Sequence, residues 1–77
     1  MNKQRRKELE KIQDEIMALQ TELEELKDAE QEAFDNLPEG IQDSERGEAM
    51  QEAVEYLETA YDNLQDAIDN ISEVLES

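Results

Sequence analysis

Apolar residues recur every three and four positions through the first half of the chain, and this spacing constrains the fold more than any other feature. The ladder runs through Leu9, Ile12, Ile16, Leu19, Leu23 and Leu26 and continues through Glu30, Ala33 and Leu37. With Leu9 at heptad position a, these residues occupy positions a and d, the period of helices that wind into a left-handed coiled coil. No proline or glycine occurs before Pro38, so we predict a first helix over residues 4–36.

The second half of the chain carries a wider apolar pattern. Three sets of residues repeat every seven positions: Met50, Leu57, Leu64 and Ile71; Val54, Tyr61, Ile68 and Leu75; and Ala53, Ala60, Ala67 and Val74. Three apolar rows per heptad are typical of a bundle helix that faces a core rather than of a narrow two-stranded seam. We predict a second helix over residues 45–76.

A turn over residues 37–44 separates the two helices. Pro38 disfavours the helical conformation at Leu37, and Gly40 is the least costly position for an unusual backbone angle. Ser44 can cap the second helix, although Gly47 weakens its first turn. The pattern therefore predicts an all-α fold, a single antiparallel two-helix hairpin over residues 1–77 with coiled-coil packing.

The small size of the chain predicts self-association. Leu, Ile, Val and Phe make up only 16 of the 77 residues, and the net charge is −16. This composition borders on that of disordered chains, so the periodic arrangement is what indicates folding. Because a hairpin of this length buries little apolar surface, we expect a homodimer that forms a four-helix bundle, or a hairpin completed by another protein.

The chain has 23 acidic and 7 basic residues, and the two kinds are unevenly distributed. Five of the bases lie near the start: Lys3, Arg5, Arg6, Lys7 and Lys11. In an antiparallel hairpin they would lie beside Glu73, Glu76 and the negative end of the second helix. Residues 1–11 carry a net charge of +3 without aromatic residues among them, and the rest of the chain carries −19. We therefore expect no direct nucleic-acid binding.

An acidic stripe follows the predicted outer face of the second helix. It consists of Glu52, Glu55, Thr59, Asp62, Asp66, Asp69, Glu73 and Glu76, and residues 47–77 contain no lysine or arginine. The stripe is either a solvated face that maintains solubility or a surface that binds a basic, nucleic-acid-handling protein. For the second interpretation the candidate charged residues are Glu52, Glu55, Asp62, Asp66 and Asp69.

Met17 and Tyr56 are candidate apolar contacts for such a partner, because both lie off the predicted core rows and both residue types are favoured at interfaces. Tyr56 could instead cover the seam of the dimer.

The composition argues against an enzyme. The chain has no histidine and no cysteine, so it lacks the commonest general base, any thiolate nucleophile and the usual zinc ligands. An EF-hand-like spacing that starts at Asp35 fails, because Leu37 stands at its third position and Arg46 at its twelfth. We expect no cofactor and no metal site. A further alternative is an enzyme that uses its carboxylates with Mg²⁺.

No apolar run is long enough to cross a membrane. We expect no membrane association, and a cysteine-free chain of this kind fits the cytoplasm.

Four features of the sequence are typical of a known group of proteins. They are the basic start, the acidic leucine ladder, and the segments 36–48 (NLPEGIQDSERGE) and 61–68 (YDNLQDAI). The chain resembles short acidic helical proteins encoded by phages and integrative elements of Gram-positive bacteria. The resemblance implies a host-cell cytoplasm as location. It also implies a role as an inhibitor of a host nuclease, restriction system, glycosylase or polymerase by occupation of its DNA site. Our hypothesis is a non-enzymatic protein-binding module that mimics the charge of DNA; the alternative is a structural coiled-coil oligomer or scaffold.

Overall fold

The computed structural model describes all 77 residues and contains only helices. Helix α1 spans Lys3–Asp35, α2 spans Glu39–Gln42 and α3 spans Glu45–Glu76. The predicted all-α class is confirmed. The bounds of α1 are displaced by one residue from the predicted 4–36, and α3 spans the predicted 45–76. The predicted turn contains the single-turn helix α2.

Local hydrogen bonds explain where α1 begins and ends. The side chain of Asn2 accepts a hydrogen bond from the backbone N–H of Arg5 at 2.8 Å, which satisfies one of the free donors in the first turn. At the other end, Asn36 is the last residue with a helical backbone conformation, and its N–H bonds to Glu32. Pro38 follows two positions later, where the residue before a proline is biased away from the helix.

The connection between the long helices is more regular than predicted. The carbonyl oxygen of Pro38 accepts hydrogen bonds from Ile41 and Gln42 at 2.8 and 3.0 Å, which closes α2. No residue has a positive φ, so the predicted unusual backbone angle at Gly40 is wrong. Ser44 caps α3 by position, as predicted, but its hydroxyl donates to the carbonyl of Ile41 and not to the first turn of α3.

Gly47 allows α2 to pack against the first turn of α3. It is one of three buried residues in the chain. A Cβ atom at this position would lie 2.0 Å from the carbonyl oxygen of Gln42. Glycine is therefore needed at position 47 for close backbone approach, even though it weakens the helix locally.

Helices α1 and α3 lie side by side, with the beginning of α1 next to the end of α3. Three side-chain to backbone hydrogen bonds define this register, and they join Arg6 to Leu75 at 2.6 Å, Gln13 to Ile68 at 3.1 Å and Gln20 to Tyr61 at 3.4 Å. The donors are seven residues apart, and so are the acceptors. The resulting rod measures 58 × 14 × 13 Å between Cα atoms.

The row of α1 at heptad position d does not face α3. Ile12, Leu19 and Leu26 are 47, 54 and 61% exposed. The contact with α3 is made by two half-buried or buried rows: Leu9, Ile16, Leu23, Glu30 and Leu37 at position a, and Arg6, Gln13, Gln20, Lys27 and Phe34 at position e. The prediction that the a and d rows together form the seam is therefore wrong for row d within one chain.

Polar contacts explain this orientation of α1. Relative to an a/d seam, α1 is turned by about 50° about its axis. In this orientation Gln13 also reaches the Ser72 hydroxyl at 2.8 Å, and Gln20 reaches the Gln65 side chain at 2.9 Å. Gln20 is 7% exposed, and no buried side-chain polar atom lacks a partner.

Helix α3 contributes most of the apolar contact surface. The rows of α3 that begin at Met50 and at Val54 are half-buried or buried throughout. In the alanine row only Val74 is exposed. Ile68 is the one buried apolar side chain in the chain, at 4% exposure, and no large side chain is fully buried. One chain therefore has a thin interior.

Candidate functional site

The acidic stripe lies on the surface of α3 that faces away from α1. All eight of its residues are exposed. The only ion pair in the chain joins Lys27 to Asp28 on α1, with 4.0 Å between the Lys27 Nζ and the nearer Asp28 oxygen. No carboxylate of the stripe is neutralised by a base of the same chain.

Arg6 lies at the end of α3, where its guanidinium contacts the backbone of that helix and not the carboxylates of the stripe. Its guanidinium donates to the carbonyl oxygens of Leu75 and Ser77, where a cation satisfies free acceptors and opposes the helix dipole. The basic segment thus lies beside the negative end of α3, as expected. No ion pair joins it to Glu73 or Glu76, so their charges stay available.

Tyr56 and two of the candidate carboxylates lie together near the start of the stripe. The Tyr56 side chain is 68% exposed. It lines a shallow open depression with Glu52, Glu55 and Thr59, and Glu48 and Gln51 complete the lining. The Thr59 hydroxyl is bonded to the Glu55 carbonyl at 3.1 Å. An aromatic face beside carboxylates is suited to a lysine or arginine side chain, which can pair with the acids and stack on the ring.

Asp62, Asp66 and Asp69 continue the stripe toward the end of α3. All three are exposed. Asp69 accepts a hydrogen bond from the Gln65 side chain at 3.0 Å, and Gln65 in turn accepts one from Gln20 of α1. This end of the stripe is thereby linked to the contact between the two helices.

Met17 is separated from Tyr56. It is 43% exposed and precedes Gln20 by three positions, so it lies on the side of α1 where Gln20 reaches Gln65. The structure therefore brings Met17 toward the Asp69 end of the stripe, and it does not join Met17 and Tyr56 in one contact patch.

No group of three or more Asp or Glu side chains has a geometry that could hold a metal ion. None of the helices combines the length and apolar character needed to cross a bilayer.

Sequence reasoning missed the polar row of α1. Arg6, Gln13, Gln20 and Lys27 recur every seven residues beside the apolar ladder, and that recurrence is the signal that could have identified them. Long amide side chains at heptad spacing can bond to a neighbouring helix as well as to water.

No protein-family model matches the chain, and neither a curated protein nor a solved structure is detectably similar to it.

Proposed function

We propose that the chain is a non-enzymatic antiparallel helical hairpin that binds a basic, nucleic-acid-handling protein through the acidic stripe. In this proposal it works as a phage-type inhibitor that mimics the charge of DNA in the host cytoplasm. The observation that supports it most is the exposure of every stripe residue together with the absence of any ion pair on α3.

The charge density of the rod supports the proposal. A net charge of −16 over a length of 58 Å corresponds to about one charge per 3.6 Å. Duplex DNA carries about one charge per 1.7 Å of axis. Two chains side by side would approach the DNA value, so homodimerisation is the second part of the proposal.

Tyr56 and the depression that it lines supply the shaped contact that specific binding requires. Uniform negative charge attracts any basic surface, whereas specificity requires a shaped contact. The exposed ring, which shares its depression with Glu52 and Glu55, gives one arginine or lysine of the partner a defined position. We assign the remaining stripe carboxylates to long-range attraction, which raises the rate of association.

The second candidate function is a structural oligomer or scaffold whose acidic face is only solvated. The exposed leucine row of α1 favours it, because that row needs a covering partner whatever the stripe does. The scaffold function predicts that core substitutions such as Leu23→Asp or Leu64→Asp abolish function and that charge reversals on the stripe leave function unchanged.

The test is affinity capture from a lysate of a Gram-positive bacterium, at about 50 mM and about 500 mM salt. The immobilised chains are the unmodified protein and the variant Glu52→Lys/Asp62→Lys/Asp66→Lys. A matched control, Asp14→Lys/Glu25→Lys/Glu32→Lys, makes the same change in net charge at exposed positions of α1.

We expect the unmodified chain and the control to retain one basic protein at low salt and release it at high salt. The stripe variant should not retain it. Addition of duplex DNA should displace the partner, because both ligands would occupy one site. Equal retention by all three chains, equal loss from both variants, or simultaneous binding of DNA and chain would contradict the proposal.

A further inference from the structure

An apolar face runs along one side of the paired helices. Helix α1 contributes its row at position d, and α3 contributes the alanine row. The apolar face consists of Ile12, Leu19, Leu26, Ala33, Ala53, Ala60, Ala67 and Val74. The three large residues of α1 are about half exposed or more, and the α3 members other than Val74 are half-buried.

Both rows lie on the same side of the rod. On α1, row d borders row a on the side away from the polar row that contains Gln13 and Gln20. Those glutamines contact Ser72 and Gln65, which flank one side of α3. The alanine row flanks the opposite side of α3. The rows of large and of small residues therefore lie next to each other, away from the polar contacts.

The accessible area of the chain exceeds that of a compact monomer of the same mass, because the chain is a thin rod of 58 × 14 × 13 Å. The chain exposes 5753 Å², whereas a folded monomer of 8.9 kDa is expected to expose about 4,800 Å². The excess of about 950 Å² compares with about 800 Å² that each partner buries in a standard interface.

We propose that a second copy of the chain covers the apolar face, with α1 of each copy lying over α3 of the other. A twofold axis parallel to the helices produces this arrangement, in which every neighbouring pair of helices is antiparallel. The leucine row of one copy meets the alanine row of its partner, and the reverse contact is identical. The face carries a row of large side chains beside a row of small ones. Two such faces fit together when the large row of each copy packs against the small row of the other.

The charges beside the apolar face favour the same arrangement. On α1 the row next to the leucines contains Glu8, Glu15 and Glu22. If α1 packed on α1 of the second copy, these acids would meet their equivalents, and like charges at an interface are unfavourable. On α3 the row next to the alanines is uncharged: Ala49, Tyr56, Asn63 and Asn70. Packing of α1 on the partner's α3 brings the glutamates to this uncharged row.

The dimer leaves the acidic stripe free. The carboxylate rows of α3 lie on its outer surface and on the side opposite the alanine row, so the carboxylates of one stripe remain exposed on each copy. Tyr56 lies in the row that borders the interface. The inference gives the arrangement of the homodimer that the proposed function includes, and it is argued from the apolar face and not from the proposed binding of a basic protein. Dimerisation without partner capture would contradict only the proposed function.

The first test is sedimentation equilibrium of the full chain over a range of concentrations. We expect a dimer, and Leu19→Asp should raise its dissociation constant by about a hundredfold or more, because both copies lose a buried leucine. Ala18→Asp is the matched control, since it adds the same charge at the neighbouring exposed position outside the apolar face. It should leave the dissociation constant within about threefold of the original value.

The second test uses the absence of cysteine in the chain and needs no disruptive substitution. Leu19→Cys and Ala67→Cys variants lie at nearly the same level along the rod. Equal amounts are refolded together and mildly oxidised, and the products are separated by mass. We expect the disulfide between the two different variants to predominate, because identical positions are diagonal across the bundle and too far apart to bridge.

Four outcomes would overturn the inference. They are a chain that stays monomeric at all concentrations, equal weakening of the dimer by Ala18→Asp, predominant pairing of Leu19→Cys with itself, and a dimer whose mixed variants form no disulfide at all.

Discussion

Helices α1 and α3 are nearly equal in length but contact each other in different ways. Helix α3 presents apolar rows to its neighbour and holds the one buried apolar side chain, Ile68. Helix α1 presents one mostly apolar row and one polar row, and it leaves Leu19 and Leu26 in solvent. The helix with the more regular heptad ladder is thus the one that uses only half of it within the chain.

This difference shows that a heptad ladder identifies a surface that requires a partner without identifying the partner. In α1 one set of ladder positions is used for contact with α3, and the other set forms the apolar face. Helix α3 has a third row, so it can contact α1 and still contribute to that face. Paired substitutions on the two helices and in their connection test this division of roles.

The largest expected difference in the free energy of unfolding is between substitutions of two isoleucines, one on each helix. Ile68→Ala should lower the free energy of unfolding by about 3 kcal/mol, because it removes a buried side chain from a thin interior. Ile12→Ala should change it by less than about 0.5 kcal/mol at concentrations below the dissociation constant of the dimer. Urea unfolding followed by far-ultraviolet circular dichroism measures both values.

An equal loss of stability from the two isoleucine variants in dilute solution would contradict the orientation of α1. A concentration-dependent loss that is confined to Ile12→Ala would support the assignment of row d to the second copy.

The polar row of α1 should contribute less than the apolar rows of α3. Gln20→Ala removes bonds to the Tyr61 carbonyl and the Gln65 side chain, and we expect it to cost about 1 to 2 kcal/mol. Gln31→Ala is the control, because it removes only a local bond to Asp35 on the exposed surface; its effect should stay within about 0.5 kcal/mol. Chemical denaturation of the two variants under identical conditions makes the comparison, and similar effects would show that the polar row does not position α1.

The smallest expected effects on stability concern two glycines, Gly40 in α2 and Gly47 in the first turn of α3. Gly47→Ala gains about 1 kcal/mol in helix propensity but places a Cβ against the backbone of Gln42. We expect a net loss of about 1 kcal/mol. Gly40→Ala meets no atom within 4 Å and should stabilise by about 0.5 kcal/mol.

Thermal or urea unfolding distinguishes the two glycine variants by the sign of the change. If Gly47→Ala stabilises the chain as much as Gly40→Ala does, then α2 does not pack against α3 as described.

Much of the fold was predictable from local signals. The heptad ladder, Pro38 and Ser44 predict two long helices whose ends agree with the structure to within one residue. The exposure of Met17, Tyr56 and the stripe follows from their position off the core rows. The role of Gly47 could not be predicted, because the close approach of Gln42 depends on the path of a connection that has a helix of its own.

The amino-acid sequence by itself determined the helices, their period and the side of α3 on which the acids collect, since these depend on spacing along one chain. Only the tertiary structure decided which rows of α1 face α3. Periodicity defines angles within one helix, but the rotation of a helix against its neighbour depends on all contacts between them. Here the bonds of Gln13 and Gln20 to α3 accompany the turn of α1 that leaves Ile12, Leu19 and Leu26 at the surface.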